Sequence, residues 1–254
     1  MTLVLLTALG VGGATVIGAL IGFGFKNMSH RFSDLILSFA AGVMLAAAVM
    51  GLIIPSVEYG MELGKGIALL MTVAGIFVGA LALNLVDRVV PHLHRLAGAE
   101  IETHDNKDLS RVLLFVMAIA IHNLPEGIAA GVGFGSGNDS QALIIAGGIA
   151  LQNIPEGMVV IAPMLAAGVS KKRTLLIASL TGLVEVVGTL IGYLAVSVST
   201  AILPFALAFA GGTMLYVISD EMIPETHHGG GERGATYALL GGFALMMCMD
   251  FLLG

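Results

Sequence analysis

Two similar polar motifs lie within long apolar stretches of the 254-residue sequence. The motif HNLPEG occupies residues 122–127, and QNIPEG follows 30 residues later at residues 152–157. In a helix, side chains three or four positions apart share a face, so the first two residues of each motif would stack beside its glutamate. Each motif therefore predicts a face that joins a carboxylate to amide or imidazole groups. The residues on these two faces are His122, Asn123, Glu126, Gln152, Asn153 and Glu156.

These residue types indicate a site for divalent metal ions. A third carboxylate, Glu185, lies near the middle of another apolar stretch, at the depth expected for the motif glutamates. Carboxylates with imidazole and amide oxygens, and no thiolate, suit Zn²⁺, Fe²⁺, Mn²⁺ or similar ions rather than Cu(I). Three empty carboxylates would repel one another, and divalent cations would neutralise them. Because such ligands exchange readily, the metal is expected as a transported ion, with no separate cofactor.

The proline and glycine of each motif predict the local geometry of its helix. Pro125 and Pro155 cannot donate a hydrogen bond to the carbonyl four residues earlier, which kinks a helix and frees backbone oxygens beside the site. Gly127 and Gly157 permit a neighbouring helix to approach closely. Each motif is therefore expected on a kinked and closely packed helix.

The helices that position the motifs are expected to span a membrane. Hydrophobic residues make up 57% of the sequence and charged residues only 11%, far from the balance of a soluble domain. A helix needs about 20 apolar residues to cross about 30 Å of hydrocarbon. The stretches predict an all-α integral membrane protein, one domain over residues 1–254, with a cytoplasmic loop at 88–111. The eight predicted spans are residues 2–25, 35–57, 66–87, 112–135, 140–168, 174–196, 202–220 and 234–253.

The basic residues predict how these spans are oriented. Ten of the eleven Lys and Arg residues follow odd-numbered spans, and Lys65 alone follows an even-numbered one. Because cytoplasmic loops are enriched in Lys and Arg, both termini are expected on the extracellular or periplasmic side of the plasma (inner) membrane. The lipid bilayer is thus an expected partner. A net charge of −6 without a basic face argues against nucleic acid, and glycine-rich faces are compatible with a homodimer.

The two motifs also predict internal symmetry. Successive spans run in opposite directions, so motifs on spans four and five would be related by a pseudo-two-fold axis in the membrane plane. The expected architecture is therefore an inverted repeat of three, two and three spans (3+2+3), with the metal site on its axis.

At HNLPEG and QNIPEG the sequence resembles the ZIP family of metal-ion transporters, and within it the prokaryotic GufA-like and ZupT-like members. The resemblance extends to the segments at Asp87–His94 and Glu221–His227 and covers essentially the whole chain. It implies transport of divalent ions such as zinc, iron, manganese, cadmium or cobalt toward the cytoplasm by alternating access. In this family, spans one, four, five and six are thought to slide against spans two, three, seven and eight.

The resemblance further implies a binuclear metal site in which Glu126 and Glu156 bridge two ions. Many relatives begin the second motif with His where this sequence has Gln152, and relatives of the GufA type can have Asp where it has Asn153. Both differences alter the ligand set, and the second lowers the negative charge around one ion. The remaining implied ligands are His122 and Gln152 for the first ion, and Asn123, Asn153 and Glu185 for the second.

Polar residues outside the spans' centres are candidates for the ion pathway. Span seven ends in a polar run in which Asp220 and Glu221 are the favoured functional pair. The loop after span three holds His92, His94 and His104, which could capture metal transiently. The resemblance matches Asp87, Asp220 and Glu221 to pathway or release-side contacts, and His92 and His94 to loop histidines of the family.

Two other functional classes are compatible with buried carboxylates. A membrane-embedded metal-dependent hydrolase could use Glu126, Glu156 and His122 to hold a catalytic metal, but the sequence has no HExxH pair and no candidate nucleophile. A proton-coupled carrier of an organic solute could use the same carboxylates as a relay. The expected class is a transporter and not an enzyme.

Overall fold

The chain folds as a bundle of helices. In the computed structural model, every element formed by the described residues is helical and none is a strand, which confirms the predicted all-α class. The described residues are 1–25, 29–98, 107–198, 200–227 and 232–253. Their α-helices are α1 (Thr2–Gly22), α2 (His30–Ala46), α3 (Ile54–Gly60), α4 (Lys65–Gly98), α5 (Lys107–Gly133), α6 (Asp139–Ala166), α7 (Lys171–Val198), α8 (Leu203–Val217), α9 (Ile223–Thr226) and α10 (Glu232–Leu253).

Two π-helical segments join shorter helices into continuous rods. Residues Ala47–Ile53 link α2 to α3, and residues Ile218–Met222 link α8 to α9. At the end of each segment a backbone N–H donates to the carbonyl five residues earlier, from Ile54 to Val49 in the first case. A proline follows directly in both rods, and its missing N–H accounts for the local change of helix type. The second π segment contains the predicted pathway pair, Asp220 and Glu221.

The long helices have the length and hydropathy of membrane spans. Seven of them, within the described part of the chain, are long and apolar enough to cross a bilayer. The remaining long helix, α5, has 27 residues, which at about 1.5 Å per residue exceeds the roughly 30 Å of a hydrocarbon core. Seven to eight helices of spanning length thus form where eight spans were predicted.

The helices extend beyond the apolar stretches that predicted them. The segment 88–111, expected as a loop, is helical at both ends: residues 88–98 continue α4, and residues 107–111 begin α5. Hydropathy marks where a chain stops being apolar, whereas helix ends depend on backbone hydrogen bonding, so a polar segment can continue a helix beyond its apolar part. The break between the predicted spans 174–196 and 202–220 lies between the end of α7 at Val198 and the start of α8 at Leu203.

Glycines bring the helix backbones into direct contact. The most extensive pairs are α1 with α6, α5 with α7, α2 with α10 and α4 with α8, and α1 also packs against α7. Gly12 on α1 and Gly182 on α7 face one another, and a Cβ added to either would lie 2.3 Å from the other's carbonyl oxygen. Since no larger residue fits there, these two helices meet backbone to backbone.

The contact between α1 and α6 is repeated between α7 and α5. A Cβ at Gly157 on α6 would lie 2.1 Å from the carbonyl oxygen of Thr15 on α1. A Cβ at Gly127 on α5 would lie 2.3 Å from the carbonyl oxygen of Glu185 on α7. The glycine of each polar motif therefore docks its helix in the same way, once on Thr15 and once on Glu185.

A second contact is repeated on the other side of the bundle. The runs Phe39–Leu45 (FAAGVML) on α2 and Phe209–Leu215 (FAGGTML) on α8 are similar. A Cβ at Gly42 would lie 1.9 Å from a carbonyl oxygen of α10, and one at Gly212 would lie 2.3 Å from a carbonyl oxygen of α4. The α2 and α8 rods thus use equivalent glycines to dock on their partners.

The outer surface of the bundle is apolar. Large hydrophobic side chains point away from the protein along its length, such as Phe77 on α4, which is 71% exposed, and Phe251 on α10, which is 85% exposed. A continuous apolar exterior of this kind suits helices that face hydrocarbon. The single cysteine of the sequence, Cys248, also lies exposed on α10, and the sequence contains no tryptophan.

Candidate metal site

The seven predicted ligands lie in the interior of the bundle, where α5, α6 and α7 meet. Asn123, Gln152, Asn153 and Glu185 are fully buried, and the most accessible member of the set, His122, is only 8% exposed. The close approach at Gly127 and Gly157 brings the motif helices against α7 and α1. Because the motif residues directly precede these glycines, their side chains are carried into the same interior region.

One pair of motif side chains links α6 to α5. The amide nitrogen of Gln152 donates a hydrogen bond of 2.6 Å to Oε1 of Glu126. Two oxygens of this pair are buried and have no hydrogen-bond partner among the described residues, namely Oε1 of Gln152 and Oε2 of Glu126. The pair therefore holds one carboxylate in place and leaves two oxygens free.

Glu185 is the centre of a second group. Its Oε1 accepts hydrogen bonds from Oγ1 of Thr15, at 2.8 Å, and from the amide nitrogen of Asn123, at 2.7 Å. Its Oε2 accepts one from the amide nitrogen of Asn153, which also donates to the carbonyl oxygen of Val11 at 3.2 Å. Four helices thus meet at one carboxylate, and all its donors are neutral.

The site contains four buried oxygens that accept no hydrogen bond from the described residues. A buried polar atom without a partner costs free energy, and such atoms are rare in folded proteins. All four are carboxylate or amide oxygens, the ligand atoms that hard and borderline divalent cations accept. The arrangement is therefore suited to a bound cation. The oxygens are Oδ1 of Asn123, Oε2 of Glu126, Oε1 of Gln152 and Oδ1 of Asn153.

His122 contacts the second π segment. Its Nε2 lies 2.8 Å from Oε1 of Glu221, whose side chain is 32% exposed. This contact occupies Nε2, so that nitrogen is not free to bind a metal while the contact lasts. Glu221, predicted as a pathway residue, thus directly contacts a predicted ligand. Its neighbour Asp220 is exposed.

The three glutamates do not form a metal-binding cluster by themselves. Glu156 and Glu185 are electrostatic neighbours of Glu126, and His122 is one of Glu156. Nevertheless, no three His, Cys, Asp or Glu side chains in the described part of the chain converge closely enough to hold one ion. The amides of Asn123, Gln152 and Asn153 donate to two of these carboxylates, and their oxygens are free to supplement the carboxylates in a ligand set.

Three predicted pathway residues cannot be placed. The side chains of Asp87, His92 and His94 lie outside the described part of α4, and His104 lies outside the described residues. Their roles as pathway contacts stay predictions.

Thr15 belongs to the site but was not among the predicted residues. It is 1% exposed, and it lies 170 positions before Glu185, to which it donates. A signal for it exists in the sequence, because residues 12–22 (GGATVIGALIG) and residues 182–192 (GLVEVVGTLIG) match at both ends and at the central glycine. In that alignment Thr15 stands opposite Glu185.

Comparison with known proteins gives close matches across nearly the whole chain. A family profile described as ZIP Zinc transporter matches residues 94–250. The zinc transporter GufA of Myxococcus xanthus is 42% identical over 254 residues, which cover 98% of each chain. The zinc transporter ZIPB of Bordetella bronchiseptica is 40% identical over 95% of this chain and 78% of its own. The zinc transporter ZupT of Chlorobaculum parvum is 35% identical over 95% of this chain and 94% of its own.

Proposed function

The chain belongs to the ZIP family of zinc transporters, and from this premise we propose that it carries divalent transition-metal ions across a membrane through the buried site described above. The matches to known proteins confirm the predicted family and the prediction of a transporter that is not an enzyme. It does not favour the hydrolase alternative. Zinc is the first candidate because the matching relatives are named as zinc transporters, and iron, manganese, cadmium and cobalt are further candidates.

The observation that supports this proposal most directly is the set of four unpaired buried oxygens. They lie on α5 and α6 within the polar interior, and a cation would satisfy them where no donor of the described residues does. Glu126 and Glu156 supply two negative charges, which equal the charge of one divalent ion. We expect these two glutamates to be the central ligands, with Gln152 as an amide ligand.

His122 is expected to join the ligand set only when it leaves Glu221. The contact at 2.8 Å occupies Nε2, so binding of an ion by that nitrogen requires the imidazole to turn or Glu221 to withdraw. Glu221 is partly exposed and so could pass between the site and solvent. We propose that this exchange is one step of ion release.

The repeated helix contacts support the inverted 3+2+3 architecture. Exchanging α1 with α7, α5 with α6, the α2 rod with the α8 rod, and α4 with α10 turns each extensive helix pair into another extensive pair. The contact of Gly12 with Gly182 is its own counterpart under this exchange, as expected for residues beside a two-fold axis. Thr15 and Glu185 are counterparts as well, so the metal site would lie close to that axis.

The same packing is compatible with alternating access. The helices α1, α5, α6 and α7 pack against one another through glycines, and so do the α2 rod with α10 and the α8 rod with α4. We propose that these two groups move relative to each other and carry ions toward the cytoplasm across the plasma membrane, with both termini outside. The contact between His122 and Glu221 crosses the boundary between the groups.

Uptake by reconstituted protein tests the transport function. Proteoliposomes with the intact chain are expected to take up Zn²⁺, and the double variant Glu126→Gln/Glu156→Gln should lose most of that uptake because it removes both charges while keeping the side-chain shape. Glu62→Gln, which neutralises an exposed carboxylate, is the matched control and should transport normally. Equal uptake by the wild type and the double variant would show that the site does not carry the ion.

A further inference from the structure

The carboxylate of Glu185 accepts its hydrogen bonds from neutral side chains. Its three donors come from three other helices, Thr15 on α1, Asn123 on α5 and Asn153 on α6. All four side chains are at most 1% exposed. Several hydrogen bonds can replace the hydration of a buried carboxylate, so the oxygens of Glu185 have partners without a cation.

The same hydrogen bonds determine which way the amides point. The nitrogen of each amide faces Glu185 and donates to one of its oxygens. The oxygens of Asn123 and Asn153 then point away from it, and both are unpaired. An ion bound directly by Glu185 together with these oxygens would require both amides to turn over and three hydrogen bonds to break.

The charge of the buried site also fits one divalent ion better than two. Its three fully or almost fully buried carboxylates, Glu126, Glu156 and Glu185, supply three negative charges at most. Two divalent ions would leave one buried positive charge without a partner, which is costly. One ion would leave one negative charge, which the three hydrogen bonds to Glu185 stabilise. Glu221 adds a fourth carboxylate only at the edge, where it is partly exposed and held by His122.

We propose that the hydrogen bonds of Asn153, Asn123 and Thr15 to Glu185 take the place of a second metal ion, so that the transporter holds one divalent ion at a time. This inference rests on the proposed function, because it concerns the occupancy of the same site. Glu185 and Thr15 are then positioning residues: they orient the two amides so that their oxygens face the region of Glu126 and Glu156. Asn153 determines the number of bound ions, because its amide donates a hydrogen bond to Glu185 and a carboxylate in its place could not.

The number of bound ions tests this proposal on the unmodified chain. Full-length protein in detergent is dialysed against Zn²⁺, and metal per chain is measured by elemental mass spectrometry. Ions held elsewhere, for example by surface histidines, are removed from the count by subtracting the metal bound to Glu126→Gln/Glu156→Gln. The expected difference is one ion per chain, and a difference of two would overturn the proposal while leaving the transport function intact. No difference would instead contradict the proposed metal site itself.

Variants of the network test its cause. Asn153→Asp removes a donor and places a second carboxylate beside Glu185, so the bound metal should rise from one ion to two. Thr15→Val removes one of three donors and should add a second, weaker ion at excess Zn²⁺, whereas Thr15→Ser keeps the hydroxyl and should return the count to one. Thr189→Val is the matched control, because the hydroxyl of this fully buried threonine donates to the backbone oxygen of Glu185 and not to its carboxylate. A count of one in Asn153→Asp, or a second ion in Thr189→Val, would show that the network does not set the occupancy.

Discussion

At the scale of single residues, the site is a set of acceptors held in place by a few donors. The nitrogen of each motif amide donates to a carboxylate, and the oxygen is left free for another partner, as in the contact of Gln152 with Glu126. The sequence indicated the residue types of this site, because charged groups within apolar stretches stand out in any hydropathy profile. It did not indicate which atom of each side chain would be left over, since that depends on contacts between distant helices.

Glu221 is the residue whose removal should change affinity and turnover in opposite directions. In Glu221→Ala the imidazole of His122 loses its partner and becomes free to bind metal, so KM for Zn²⁺ should fall by roughly 3- to 10-fold, the value of one hydrogen bond of about 0.5–1.5 kcal/mol. The maximal rate should fall as well, because Glu221 no longer competes with the ion for His122 during ion release. Uptake kinetics in proteoliposomes measure both quantities.

Glu225 supplies the control for this experiment. It lies four positions after Glu221 on α9 and is exposed, so Glu225→Ala should leave KM within about twofold of the wild type, as is usual for a surface substitution. A higher KM in Glu221→Ala would mean that Glu221 is itself a ligand of the bound ion and not a competitor for His122.

At the scale of helices, close backbone contact decides where the side chains meet. The spans were predictable because apolar stretches are long, but α4 continues past its apolar part, and the π segments were not predicted. Hydropathy cannot reveal a π segment, since it depends on which carbonyl each N–H reaches. Thr15 was overlooked because a threonine in an apolar helix carries no charge, and its role arises only through Glu185 on another helix.

Alanine at a motif glycine should destabilise the bundle. In Gly157→Ala the new methyl group would lie 2.1 Å from the carbonyl oxygen of Thr15, so α1 and α6 must separate. Overpacking of this kind costs about 1–3 kcal/mol, and the thermal unfolding temperature in detergent should fall by several degrees. Zn²⁺ uptake should fall too, because the shift moves Asn153 and Glu156 relative to Glu185.

Gly10 on α1 provides the matched control. Nothing lies within 4 Å of a Cβ at this position, and alanine favours a helix over glycine by up to about 1 kcal/mol. Gly10→Ala should therefore unfold at the same temperature as the wild type or slightly higher. Equal unfolding temperatures for the two variants would show that the contact between α1 and α6 is not a rigid one.

At the scale of the whole molecule, the orientation of the chain in the membrane has the largest functional consequence, because it determines the direction of transport. The basic run at 171–173 begins α7, and cytoplasmic loops carry such residues. In a Cys248→Ala background, a thiol at Ser170 should react with a membrane-impermeant maleimide only after the cells are lysed. A thiol at Ser140, at the other end of α6 and equally exposed, should react in intact cells.

The two positions serve as controls for each other, since Ser140 lies in the first turn of α6 and Ser170 follows its other end. Reaction of the thiol at position 170 in intact cells, with protection of the one at 140, would invert the topology. The direction of ion movement inferred from it would then reverse as well.

The exposed thiol of Cys248 on α10 and the lack of tryptophan allow a donor and an acceptor to be placed at single positions of this chain. A fluorescent acceptor attached to the native cysteine would have no competing attachment site in the sequence. One Phe23→Trp substitution beyond the end of α1 would then supply the single excitable donor. Energy transfer between them would follow the separation of the α1 and α10 helix groups during turnover, with only one residue of the natural sequence changed.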